Sequence, residues 1–461
     1  MALFLHSKAI GRHGLRVFLL SSWLIADLLT LLISAVNRSG GFGVHNSKPS
    51  DGTARKILYL ERNVDGTIGG SYRSLLYLVR LLDKSRYHPI AAFYREHHLI
   101  EEYRKSGCAV MILTCPPVIR LLDWCPSSTS RILSPLRWSL QFLQKGLNFV
   151  FGTLRIFFMN VMLLLKEGIQ VVHLNNGMRT APELLFASKL LGVKTVVHQR
   201  GIGKLPKSIK WLAQLVDHVV CVSDAARLNL VQQGIPAQKC TTIHNGIAPD
   251  EFLAGITKTP KQVREALGLP ADSLIIGVAG MIRGWKGQLV LVKAMVNVRE
   301  KHPKAHCLII GGVSDQHEGD RAYRDEILGF IRTHHLESQV TLIDYQPRIA
   351  EFIQVFDIMA HTAIDPEPFS RSVLEGMTLG RPIIATRTGG TPEAIEDGVS
   401  GILVPPNDPV VLAEKINMLL CSPDLRAHLG NQAQERIRKH FMIQSNVEAT
   451  EQVYRTILQE R

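Results

Sequence analysis

Asp357-Ile-Met-Ala-His361, Thr362-Ala-Ile-Asp-Pro-Glu-Pro368 and Phe369-Ser-Arg-Ser-Val-Leu-Glu375 follow one another without a break, and this stretch decides the fold. The first five residues are an apolar run short enough for a buried strand. The next seven form a polar, proline-bearing loop with a carboxylate, Glu367, near its end. Ser370 then offers a side-chain oxygen as N-cap to a helix carrying Val373, Leu374, Met377 and Leu379. Gly380-Arg-Pro382 stops that helix, and Ile383-Ile-Ala-Thr386 reads as the next strand. Strand, loop, helix, strand is the unit of a parallel sheet, and such sheets bind ligands at the carboxyl ends of their strands.

The chemistry follows from that placement. Glu367 precedes the helix, Glu375 lies inside it, and the backbone N–H groups of residues 369–372 fall between them. A helix N-terminus carries roughly half a positive charge. Phosphate can therefore rest on the amides while the carboxylates accept hydrogen bonds from sugar hydroxyls. Two glutamates alone are more often an ordinary helix acid and a loop acid, so the surrounding pattern has to decide.

Glu-x7-Glu, followed by Gly380-x-Pro382 and by Thr388-Gly-Gly-Thr-Pro-Glu393, resembles the family 4 retaining glycosyltransferases of GT-B fold, over about residues 56–460. The resemblance implies an α/β chain of two doubly wound, Rossmann-like domains facing a cleft. Residues 51–250 would form the acceptor domain and 262–439 the donor domain, with a helix over 440–461 returning to the first. It implies donor contacts from Glu375, Phe369, Ser370, Arg371, Gly389 and Gly390, with Glu375 on the ribose and Glu367 on the donor sugar.

Other segments extend the pattern. After the first strand, 56–60, Gly69-Gly-Ser71 precedes an amphipathic helix over 72–82, and paired glycines let backbone approach a phosphate or sugar closely. A plain turn explains such a pair equally well; its position matches the family's acceptor-side loop. His198 ends a strand over 195–198, where the family brings a histidine to the donor sugar. Asn245-Gly246 resembles the segment where the first domain gives way to the second. In Gly280-Met-Ile-Arg-Gly-Trp-Lys-Gly287 the family's arginine directly after the first glycine is replaced by Met281. Arg283 and Lys286 are left to face a diphosphate. Further strands are expected over 171–174, 217–222, 274–279, 306–311, 340–343 and 401–404.

The 461 residues, 46% hydrophobic and 20% charged, fit a globular protein of two or three domains. The formal charge of +13 is spread along the chain without a long basic run. That favours an anionic membrane surface or a phosphorylated substrate over nucleic acid. Seven cysteines, with no Cys-x-x-Cys, support neither a metal nor a disulfide framework and suit a reduced cytoplasm. Residues 17–36 are mostly Leu, Ile, Val and Phe, long enough to span a bilayer but carrying Asp27. A membrane anchor, an interfacial segment and a dispensable appendage all remain open for residues 1–50. Residues 136–165 mix apolar runs with Arg137, Lys145 and Arg155, which suits either core-packed helices or a basic surface lying on lipid.

The reaction implied is transfer of a sugar from a nucleotide-diphosphate-sugar to a glycan or lipid-linked acceptor, with retention, in the cytoplasm at the membrane. The sequence has no Asp-x-Asp, so neither a metal nor a cofactor is expected, and Lys286, Arg283 and the helix amides would carry the charge of the leaving group. A nucleotide-sugar epimerase or hydrolase of the same fold, or a silent membrane-bound binding protein, would share these motifs. No Gly-x-Gly-x-x-Gly follows a predicted strand, which disfavours a dehydrogenase. Removal of residues 1–50 is expected to leave a folded protein with weaker attachment to anionic liposomes. Flotation and thermal melting check this; a large drop in melting temperature would place the segment within the core.

Overall fold

The structure, a computed structural model, describes residues 54–62, 69–114, 134–313 and 318–459. The apolar run at 17–36, the linker to 53 and the loop over 63–68 lie outside the described residues.

Two parallel sheets carry the fold. The first consists of β1 (Arg55–Glu61), β2 (Tyr87–Phe93), β3 (Ala109–Ile112), β4 (Val171–Leu174), β5 (Lys194–Gln199), β6 (His218–Cys221) and β7 (Cys240–Thr242). The second consists of β8 (Ile275–Ala279), β9 (His306–Ile310), β10 (Val340–Ile343), β11 (Ile358–His361), β12 (Ile383–Thr386) and β13 (Ile402–Val404). Their spatial orders are β3-β2-β1-β4-β5-β6-β7 and β10-β9-β8-β11-β12-β13. Strands covered on both faces are largely apolar, and β4, β8, β9, β11 and β12 are buried at every residue. In each sheet the strand order reverses once, between β1 and β4 and between β8 and β11, and the crevice outside such a pair is where this topology binds ligands.

The helices that matter for the site are α1 (Gly70–Leu81), α2 (Ser134–Asn148), α3 (Arg155–Glu167), α4 (Asp224–Gln232), α5 (Glu318–Thr333), α6 (Arg371–Thr378), α7 (Pro423–His440) and α8 (Ile443–Leu458). Between α2 and α3 a π-helical turn, Phe149–Leu154, continues the same rod. Leu143, Val150, Phe151 and Met162 on it are half or more exposed. Within it the run Ser139–Glu167 is, by length and composition, long and apolar enough to cross a membrane.

The chain crosses back at its end. Ile247 N–H donates to Phe441 O at 2.9 Å and Ile443 N–H to Ile247 O at 3.0 Å. A Cβ on Gly246 would lie 2.6 Å from Ile443 Cα, so only glycine lets these backbones meet. Helix α8 then packs on α1 and buries Tyr454, whose hydroxyl donates to Tyr59 Oη at 3.1 Å and lies 2.6 Å from His173 Nδ1.

Sequence reading passed over three strands, β2, β3 and β7. Pro89 lacks the N–H a ladder uses, which argues against an interior strand, yet β2 lies between β1 and β3 with Pro89 in register with Ile57. Strand β3 is a four-residue edge with no buried residue, and β7 has only three residues. Helix α1 starts two residues before the expected Tyr72.

Tyr454→Phe should destabilise the protein by about 1–3 kcal/mol, because a buried His173 nitrogen loses its partner. Urea unfolding followed by circular dichroism measures this; an unchanged midpoint would mean the hydroxyl does not hold α8.

Candidate active site

On the second sheet the site grows from the loops after β8 and β11, the two strands at its order reversal. Gly287 has φ +67°, and a Cβ there would sit 2.1 Å from Thr362 O, so this glycine lets the two loops touch. They are tied by Ile364 N–H to Trp285 O at 2.9 Å and by Thr362 Oγ1 to Lys286 O at 3.2 Å. That contact sets the Lys286 ammonium on the Glu367 carboxylate, an ion pair with side chains only 19% and 10% exposed. The ammonium also stands 4.4 Å from the centre of the Trp285 ring, and His361 Nε2 lies 3.8 Å from Glu367 Oε2. Burial, and then the Lys286 charge, push the His361 imidazole down to about 4, while Glu367 pulls the other way.

Helix α6 carries the rest. Ser370 occupies its N-cap position, but its Oγ lies 3.1 Å from Ser372 Oγ and makes no cap to the backbone. The expected capping is therefore corrected: the seryl pair takes up the hydroxyl, and the first-turn amides have no side-chain cap. Glu375 is half-buried, and desolvation raises its carboxyl above the ordinary carboxylate range against the pull of Arg371 and Arg73. Arg371 Nη2 lies 3.9 Å from Glu375, while its Nη1 donates to Ser74 Oγ of α1 at 3.1 Å. A Cβ on Gly70 would lie 2.6 Å from Arg371 Cδ, so the glycine loop and the arginine meet across the cleft. Phe369 is buried, its ring 4.8 Å from His244, and its carbonyl accepts from Asn245 Nδ2 at 3.1 Å. Gly389 (φ +51°) and Gly390 back the Glu367 loop: Gly390 N–H donates to Glu367 O at 2.8 Å, and a Cβ on Gly389 would meet that oxygen at 2.1 Å.

Arg283 does not join this group. Its Nε lies 3.2 Å from Asp320 Oδ2 on α5, so in this structure the guanidinium is paired with a carboxylate of its own.

The first sheet supplies the facing wall, again at its order reversal. Glu61, ending β1, is fully buried and accepts from Asn175 and Asn176, just past β4, and from Ser71 Oγ at 3.3 Å. Burial raises its carboxyl, with Asn175 and Arg200 opposing. Arg200 donates to Asn175 O at 3.0 Å, Asn175 Oδ1 at 3.0 Å and Asn245 Oδ1 at 2.9 Å, and burial brings it down to about 10. His198 is 2% exposed, with Nδ1 3.4 Å from Arg200 Nη2, and burial with the neighbouring Arg200 holds it neutral. It is buried beside the arginine. Gly69 caps α1 and has open space around it.

The structure thus gathers Lys286, Glu367, Phe369, Ser370, Arg371, Glu375, Gly389 and Gly390 on one side, and Gly70, Ser71, His198 and Asn245 on the other. Sequence reading missed Glu61, Asn175, Arg200 and His361. The available signal was one polar residue ending each apolar strand, and strand order is needed to make those ends neighbours.

Two family models tile the chain: that described as Glycosyltransferase Family 4 matches residues 68–251, and Glycosyl transferases group 1 matches residues 260–436. The chain belongs to the family 4 glycosyltransferases. Among relatives of this glycosyltransferase is the D-inositol 3-phosphate glycosyltransferase of Corynebacterium jeikeium, 28% identical over 62% of this chain and 69% of that protein. Spore coat protein SA of Bacillus subtilis is 28% identical over 52% of this chain and 65% of its own length. Other relatives are spanned less fully, 54% of the Corynebacterium urealyticum protein and 47% of that from Corynebacterium diphtheriae. Among solved structures, a glycosyltransferase of Rickettsia africae matches at TM-score 0.72, 20% identity, over 89% of this chain and all of the other. Anabaena HepE in complex with UDP and glucose matches at TM-score 0.70, 20% identity, over 87% of this chain and all of the other. These likenesses establish the GT-B fold expected from the sequence, two α/β domains with parallel sheets.

His361 gives a pH signature. Its folded value lies near 4, below the ordinary 6.5, so its contribution to stability is full above pH 6.5 and is lost as pH falls towards 4. One such group costs at most about 1.4 kcal/mol per pH unit. His361→Gln should therefore lose less stability between pH 7 and pH 5 than wild type in urea titrations; an equal loss would mean His361 is not buried neutral.

Proposed function

We propose that this glycosyltransferase moves a sugar from a nucleotide-diphosphate-sugar to a hydroxyl of a glycan or lipid-linked acceptor, with retention at the anomeric carbon and without a metal ion. The observation that carries the reading is the convergence of Lys286, Glu367 and the uncapped N-terminus of α6 at the order reversal of the second sheet. A donor laid there places its diphosphate against the first-turn amides, the Gly389-Gly390 backbone and the Lys286 ammonium. Glu375 accepts from the ribose hydroxyls and Glu367 from hydroxyls of the sugar. The Anabaena protein of like fold, solved with UDP and glucose and with UDP-glucose, supports this class of donor.

The step breaks the bond between the anomeric carbon and the diphosphate oxygen and forms one from the acceptor oxygen on the same face. The acceptor proton passes to the leaving diphosphate. Fixed cations and dipoles stabilise charge developing on that leaving group, and their orientation costs nothing during the reaction. Lys286 must leave Glu367 to serve this way, so donor binding exchanges one ion pair for another. The wall of Glu61, Ser71, Asn175 and Arg200 receives the acceptor, with Gly69 and Gly70 allowing its close approach. The rod formed by α2, the π turn and α3 presents exposed apolar side chains with Lys145, Arg155 and Lys166 and no acid over 134–166, which suits seating on the cytoplasmic face of an anionic membrane.

Glu375→Ala should weaken donor binding by about 1.5–3 kcal/mol through lost hydrogen bonds to the ribose. Calorimetry on the folded variant measures it, and unchanged affinity would remove the ribose assignment. Lys286→Ala should lower turnover by about 10²–10³-fold, while Arg283→Ala leaves it near wild type; equal losses would show that Arg283 does reach the diphosphate. Transfer assayed with a panel of nucleotide sugars should continue in EDTA. Loss of activity that magnesium or manganese restores would refute the metal-free mechanism.

A further inference from the structure

Glu393 sits in the single helical turn Thr391–Ala394 of the second domain, yet its carboxylate is held by the first. Oε2 accepts from Asp224 N–H at 2.7 Å and lies 2.8 Å from His244 Nε2, and Oε1 accepts from Ala225 N–H at 2.8 Å. Asp224 and Ala225 open α4, whose third amide, on Ala226, bonds to Ser223 Oγ at 3.1 Å. A carboxylate from across the cleft thus completes the cap of this helix, where its charge opposes the helix dipole. Both ends of the contact are braced. Arg436 of α7 donates to Ala394 O at 2.8 Å and Glu393 O at 2.9 Å, and Thr242 Oγ1 donates to Asp224 Oδ1 at 2.7 Å.

The loop that ends in Glu393 is the one whose Gly390 N–H holds Glu367 O. His244, on the other side of the clasp, adjoins Asn245, which holds Phe369 O, and its ring lies against Phe369. Two chains of contacts therefore run from the Glu393 clasp to the two ends of Glu367-Pro368-Phe369. We infer that Glu393 is a positioning residue: its clasp on Asp224, Ala225 and His244 sets the register of the donor loop against the acceptor wall of the first domain, and it touches neither substrate. This rests on the transfer reaction proposed above.

The test compares wild type, Glu393→Ala, Glu393→Gln, His244→Ala and the double alanine variant. Donor affinity is read by calorimetry, transfer by kcat with saturating acceptor, and the Asp224 and Ala225 amides by hydrogen exchange without substrate. Because the donor contacts lie within the second domain, Glu393→Ala should keep the wild-type donor Kd. Its kcat should fall about tenfold to a hundredfold, and exchange at both amides should accelerate. Glu393→Gln, which keeps one accepting oxygen, should recover part of the rate. The double variant should be no slower than Glu393→Ala. Equal losses of donor affinity and kcat, or an undiminished kcat, would overturn the positioning role. Unchanged amide exchange would overturn the clasp itself. A wild-type protein that transfers to no acceptor would instead contradict the proposed reaction, and the substrate-free exchange data keep the two failures apart.

Discussion

The Lys286–Glu367 ion pair is the interaction on which the site depends. Two charges with little access to water are costly to bring together, and a buried pair gives back in attraction little more than its desolvation costs. Breaking one leaves a buried charge uncompensated, so whatever separates these side chains must bring its own charge. In the proposed reaction a diphosphate brings that charge to the lysine, and the neutral sugar hydroxyls offer the carboxylate hydrogen bonds in place of the ammonium. The backbone contacts of Gly287 with Thr362 and of Gly389 with Glu367 matter because they fix the two loops that carry the pair, so that only the side chains move when the partners are exchanged.

The two domains meet through polar groups of known direction. Asn245 joins the Arg200 guanidinium to the Phe369 carbonyl, Arg371 reaches Ser74, and Glu393 caps α4. Buried polar contacts of this kind demand correct geometry, because an unpaired donor in a low dielectric is expensive. The first domain carries its own network, from Tyr59 through Tyr454 and His173 to the neighbouring His198 and Arg200, which ties the C-terminal helix to the wall facing the donor.

Much of the second domain was legible because its signals are local. The strand, loop and helix of 357–379 lie consecutively in the chain, and Gly-x-Pro382 ends the helix by backbone chemistry alone. The first domain was harder. Pro89 hid β2, and Glu61 lies more than a hundred residues before Asn175 and Arg200 until the sheet order makes them neighbours. His361 read as one more strand-end histidine until Glu367 was placed beside it. Two side chains turned elsewhere than their positions implied: Ser370 found Ser372, and Arg283 found Asp320, partners outside the reach of local rules.

The exchange of Lys286 from Glu367 to the donor is the central claim, and calorimetric titration of Glu367→Gln with a free nucleoside diphosphate tests it most directly. Without the carboxylate the lysine is released to the diphosphate, so the variant should bind it more tightly than wild type. Binding equal to wild type, or weaker, would contradict the account.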